Sequence, residues 1–150
     1  MRIIPLILAS LCLPLLPAHS SPPSSTVRPH SDAKPLSLSA SDRLLARALK
    51  NGISEFTVQC TGVVTRKLSD DTWDIPHQRF IIKLASGQTL LIVHNIDLVP
   101  RIDRLKIRDR VVVKGEYIWN DLGGLIHLTH RDPDGVGIDG FIRHKGKTYQ

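Results

Sequence analysis

Cysteine is almost absent from this 150-residue chain: Cys12 and Cys60 are the only two. Cys12 falls in the apolar N-terminal run, so loss of that run leaves no internal disulfide and a fold that must stand on its core. Cys60 sits among apolar and β-branched residues with no cation beside it, the setting of a small buried hydrophobe rather than a reactive thiolate. Aromatic residues make up 5%, which leaves few rings for stacking on bases once a core is filled. Beyond the first run no apolar stretch is long enough to span a bilayer, and the first is itself too short, so no stable membrane anchor is expected. A lipoprotein anchor at Cys12 would want a small residue before it, and Leu11 stands there. There is no nucleophile elbow, zinc-protease helix, P-loop or Gly-rich dinucleotide turn, which removes the commonest motif-bearing hydrolases and nucleotide enzymes.

The N-terminus reads as a cleaved secretory signal over residues 1–20. Arg2 is the positive start, Ile3 to Leu16 the apolar run, and Ala18-His19-Ser20 a small-x-small cleavage site. A periplasmic or secreted product is expected. The formal net charge is +6, and removal of Arg2 leaves +5, a balance that suits an anionic partner. Residues 21–38 are rich in Ser and Pro, with little to bury, and read as a disordered linker.

A short helix is predicted over 39–52. Ser39 or Ser41 can cap it, Leu44, Leu45, Ala48 and Leu49 form an apolar stripe, and Asn51-Gly52 stops it. From Phe56 the pattern changes to strands. Phe56 to Arg66 alternates, with Gly62 marking a bulge or tight bend; Gln78 to Leu84 and Gln88 to His94 form a hairpin across Ala85-Ser86-Gly87. His94 to Leu105 is a connection broken by Pro100, Arg110 to Trp119 a long strand, and Leu125 to Thr129 a fifth strand after the loop Asn120–Gly124. The expectation is an all-β domain with one N-terminal helix: a single unit over 56–150, a five-stranded Greek-key barrel of the oligonucleotide/oligosaccharide-binding (OB) type with a C-terminal extension. An SH3-like barrel or open β-sandwich is the alternative.

Several blocks carry a resemblance: Gly62-Val-Val, His77-Gln-Arg-Phe80, Ser86 to Ile102, Gly115-Glu-Tyr-x-Trp-Asn120, Gly123-Gly-Leu-Ile-His127, Thr129-His130, Asp132-Pro133 and Lys145-Gly-Lys-Thr-Tyr-Gln150. On these the stretch Thr61–Gln150 resembles the bacterial domain of unknown function 3465 family of small exported proteins. The resemblance implies an address outside the cytoplasm and brings no mechanism. The family pattern usually has an aromatic where Leu128 stands and further histidines near Arg131 and Ile138.

The candidate site residues are His77, Arg79, His94, Asp97, Arg101, Glu116, Trp119, His127 and His130. His77 and His94 lie at the open end of one hairpin, and Asn95 to Arg101 leaves from there. Glu116 and His127 lie about equally far from the Asn120–Gly124 loop, as cross-strand neighbours would, so Glu116 can orient His127. His77, Arg79, His94, Asp97, Glu116, His127 and His130 would converge at one end of the barrel. His127, His130 and Asp132 are ligand types for a divalent metal, provided the strand ends near Thr129 and the Asp132-Pro133-Asp134-Gly135 turn bends the chain back. Arg79, Lys83, Arg101 and Lys114 with Tyr117 and Trp119 could form a groove for nucleic acid, although Tyr117 and Trp119 both share the Val111–Val113 face, opposite Lys114, which gives both a place in the core. The leading functional expectation is a binding module for an anionic or oligomeric ligand. A metal-assisted hydrolase of nuclease or phosphodiesterase type, and a structural partner of an envelope protein, are the alternatives. If the histidines prove structural, the basic tail Arg143–Lys147 is the next place to look.

Overall fold

The computed structural model describes residues 37–150; the expected signal segment and all but the end of the linker lie outside the described residues. One helix, α1 (Ala40–Asn51), precedes seven strands: β1 (Phe56–Lys67), β2 (His77–Lys83), β3 (Thr89–Asn95), β4 (Arg110–Ile118), β5 (Leu125–His127), β6 (Phe141–His144) and β7 (Lys147–Tyr149). Ser39 is the N-cap of α1, its hydroxyl accepting from the Asp42 amide, and Gly52 closes the helix in the left-handed conformation. The buried face of α1 is Leu45 and Ala48, with Asp42 beside them; Leu44, expected in the stripe, is exposed.

The strands close on themselves. The order β1-β2-β3-β5-β4 returns to β1 through a long β1–β4 ladder from Phe56↔Tyr117 to Val63↔Arg110, and β3 and β5 run parallel. This is a closed five-stranded barrel with the pairing of a small OB-like fold, as the sequence implies, and not an SH3-like barrel or an open sandwich. β1 serves two partners. Its first half pairs with β4 and its end with β2, and the register slips between Val64 and Arg66 where it changes over. Gly62 lies just before that bulge, with Ile82 so close that a Cβ would meet its side chain at 2.8 Å.

Alternation fills the barrel. Val58, Cys60 and Val64 of β1, Phe80 and Ile82 of β2, Leu90 and Ile92 of β3, Val111, Val113 and Tyr117 of β4, and Ile126 of β5 all face in. Cys60 is in this core, and burial pushes its thiol up to about 12, with Asp42 adding to the effect. The β3–β4 connection sends Val99, Ile102 and Leu105 into the same core. It is fastened by Gln78, whose side chain accepts from the Ile102 amide at 2.9 Å and donates to the Ile102 carbonyl at 3.2 Å, both within the buried interior.

The C-terminal extension is itself β structure, which the strand pattern does not announce. β5 ends at His127, not Thr129, because Leu128 turns into the left-handed region (φ 48°). The freed edge of β4 is then taken up by β6, from Val111↔His144 to Lys114↔Phe141. A two-residue turn, Lys145-Gly146, with both φ positive, folds β7 back on β6. Gly140 is where the chain crosses: a Cβ there would lie 1.9 Å from the Leu128 carbonyl oxygen, so no larger residue fits.

Candidate functional site

The histidines expected to converge are divided by the barrel wall. His94 follows Ile92 in alternation and points inward, with no exposed surface. β5 runs beside β3 with Ile92 opposite Ile126, and Ile126 also points inward, so the next residue, His127, points out. His94 and His127 therefore stand on opposite sides of one sheet and share no site, a correction to the expected convergence. The β3–β5 register decides this, and no local pattern carries it.

His94 is held in place by Thr129, whose hydroxyl lies 2.9 Å from Nδ1, while Nε2 is buried without a hydrogen-bond partner. Burial lowers its pKa to about 4; the Pro100 carbonyl works against that, and His130 and His77 nearby add to it. The ring is thus neutral at ordinary pH. His130, 8% exposed, has Nδ1 2.8 Å from the Arg131 carbonyl and donates to it if protonated there. His77 is half-buried, bridged through its backbone to Asp71.

On the outer face Glu116 and His127 are direct cross-strand partners, and His127 Nε2 lies 2.9 Å from Glu116 Oε2. The expected pairing holds as geometry. Arg79 and Arg101 are both committed to the β1–β2 loop: Arg79 donates to the Ser69 carbonyl and lies 3.9 Å from Asp71, and Arg101 is ion-paired to Asp70. Asp97 is exposed in a turn whose amides donate to Asn95 Oδ1. Trp119 is 40% exposed, with its indole N–H donating to the Leu49 carbonyl, so it ties α1 to the barrel rim; Tyr117 is fully buried. The basic and aromatic groove is corrected accordingly, since one of its two rings lies inside the core.

The metal expectation is also corrected. Among the described residues no three His, Cys, Asp or Glu side chains stand where one ion could be held. His127 faces Glu116, and His130 faces the Arg131 carbonyl. Asp132 caps its own loop, accepting from the amides of Asp134, Val136 and Gly137. Those amides, Gly137 first, hold its carboxyl below the usual range.

What the fold does assemble is a basic cleft of about 410 Å³ between the β3–β4 connection and the β6–β7 hairpin. Arg101, Asp103 and Arg104 form one wall; His144, Lys145, Lys147 and Tyr149 form the other. Lys147 and Tyr149 share a face of β7, and the Lys147 ammonium sits 4.6 Å from the Tyr149 ring centre. Two of the lining residues share one carboxylate: Asp109 Oδ2 lies 2.8 Å from His144 Nε2, and the Asp109 carboxylate takes Lys145 Nζ at 2.9 Å and the Lys106 amide at 2.8 Å. These partners, Lys145 first, hold the Asp109 carboxyl well below its usual range. His144 is nearly fully buried and so fixed as part of this wall.

Of the expected site residues only Arg101 lines the cleft. Asp103, Arg104 and Tyr149 were missed, and His144, Lys145 and Lys147 were expected only as a fallback, because about forty residues separate the two walls and only the β4–β6 pairing brings them together. The nearest signal in the sequence is the basic tail Arg143–Lys147.

No curated protein matches this chain. A family model does match, over residues 30–150, taking in α1 and the C-terminal hairpin as well as the barrel; the chain belongs to the family described as Protein of unknown function (DUF3465).

Proposed function

We propose that this protein is a binding module whose basic cleft takes an anionic ligand, and that with its N-terminal signal it meets that ligand outside the cytoplasm. One observation carries the reading: four cationic side chains, Arg101, Arg104, Lys145 and Lys147, from two distant segments line a single concave space. Scattered surface cations need no explanation, but cations converging on a cleft of ligand size concentrate potential where a ligand is also shaped and desolvated. The OB-like barrel supports the reading only as a scaffold, because a fold does not fix a function. The hydrolase alternative has less to rest on, since the three residues that would ligate a metal are each engaged elsewhere.

The test is retention and cleavage in one experiment. The full chain, purified after export, is passed over heparin and over immobilised single- and double-stranded nucleic acid, then incubated with each polymer with magnesium, calcium or zinc. The expected outcome is salt-sensitive retention that is lost when Arg104 and Lys147 are both changed to Glu, with no cleavage. Metal-dependent cleavage abolished in His127→Ala would favour the hydrolase, and retention unaffected by the double reversal would remove the cleft from the reading.

A further inference from the structure

We propose that the cleft is a seat for a compact dianion, a phosphomonoester, gripped between Arg104 and Lys147. This rests on the reading of the cleft as an anion site and narrows it to a ligand class.

The charge count makes the choice. Of the four lining cations, Arg101 is paired to Asp70 and also lies 3.7 Å from Asp103, and Lys145 is paired to Asp109. Among the described residues Arg104 and Lys147 make no ion pair with a carboxylate, and Lys147 rests on an aromatic ring. The cleft thus offers two uncommitted positive charges. A phosphomonoester carries about −1.5 to −2 near neutral pH and presents three acceptor oxygens, which match one guanidinium fork and one ammonium. A carboxylate brings a single charge and leaves one cation unmatched. A long polyanion such as heparin can engage the same two cations, but the exposed carboxylate of Asp103 in the wall opposes its further charges, so it gains less per charge than a compact dianion.

Size agrees. About 410 Å³ exceeds what a phosphate group fills and leaves room for a sugar or nucleoside. There is a simpler account of Lys147 alone: β7 pairs only with β6, and lysine on an exposed edge strand discourages aggregation. That account leaves Arg104, on the opposite wall, unexplained.

The experiment is calorimetric titration of the full chain with ribose phosphate, glucuronate and heparin, and sedimentation with phosphatidylcholine vesicles carrying phosphatidic acid. Ribose phosphate is expected to bind and glucuronate to bind at least about tenfold more weakly. Arg104→Gln and Lys147→Gln should each weaken ribose phosphate about tenfold or more, the loss of one charge-assisted hydrogen bond. Lys67→Gln, an exposed cation at the end of β1 outside this cleft, should change nothing. Sedimentation with phosphatidate vesicles that is also lost in Lys147→Gln would identify a lipid headgroup as a source of the same chemistry. Equal affinity for glucuronate, or equal losses in Arg101→Gln, Lys145→Gln, Arg104→Gln and Lys147→Gln, would overturn the dianion seat while leaving an anion-binding cleft. Failure of every anion to bind would overturn both.

Discussion

At the scale of single residues, the same side chain does opposite work on the two sides of the barrel wall. His94 is sealed inside, neutral, with Nε2 unpaired. Its folded pKa of about 4 lies below the ordinary 6.5, so the unfolded chain takes up its proton first as pH falls. The neutral ring's advantage to the fold is intact above pH 6.5 and is lost between 6.5 and about 4. Linkage sets the loss on the order of 3 kcal/mol at full titration. Melting curves recorded stepwise between pH 7.5 and 4.5 should show this decline, and His94→Gln, which keeps a partner for Thr129 but does not titrate, should flatten it. An equally steep decline in the variant would place the acid sensitivity elsewhere. His127 is the contrast. Its pair with Glu116 is half-exposed, so Glu116→Gln should cost no more than about 1 kcal/mol in urea unfolding. Asp109, which serves His144, Lys145 and the Lys106 amide at once, should be the more sensitive carboxylate, with Asp109→Asn lowering the melting temperature further than Glu116→Gln does.

Elements differ in what holds them. The helix α1 has good caps, but its place on the barrel comes from Leu45 and Ala48 in the core and from the Trp119 indole on the Leu49 carbonyl. Leu45→Ala should cost about 2–5 kcal/mol by denaturant titration, the range for a large-to-small change at a sealed site. A cost under 1 kcal/mol would mean the helix is only loosely seated. The β6–β7 hairpin depends on a single crossing. Because a methyl at Gly140 meets the Leu128 carbonyl, Gly140→Ala should displace the hairpin from β4, seen as loss of amide-exchange protection at Ile142 and His144. The interior strands β2 and β3 should keep theirs.

For the whole molecule, the five-stranded closure runs through β1 to β5, while half of the cleft stands on β6 and β7, which add Ile142 and Tyr149 to the same core. Anion binding should therefore be lost when the hairpin is displaced, as in Gly140→Ala. It should also fall steeply as salt is raised from low to molar ionic strength, because its cations are near the surface and are screened there. Binding that persists in molar salt would mean that charge is not what holds the ligand.

What the sequence determined by itself is what short-range physics governs. Ser39 and Gly52 mark the ends of α1, the alternation of Phe80 and Ile82 marks the inward face of β2, and Ala85-Ser86-Gly87 makes the β2–β3 hairpin. The Glu116–His127 pair was legible for the same reason: both residues can be counted outward from one loop. Tertiary structure decided the rest. The parallel pairing of β3 with β5 joins segments about thirty residues apart, and its register put His94 inside and His127 outside. The left-handed Leu128 ended β5 early and freed the edge of β4, and Gly140, having no Cβ, lets the returning chain pass beside the Leu128 carbonyl. The basic cleft exists only because β6 took that edge and carried Lys145 and Lys147 across from Arg101 and Arg104. Pairings between distant segments are selected by which closure buries the most apolar surface while satisfying backbone polar groups, and that comparison is made over the whole chain at once.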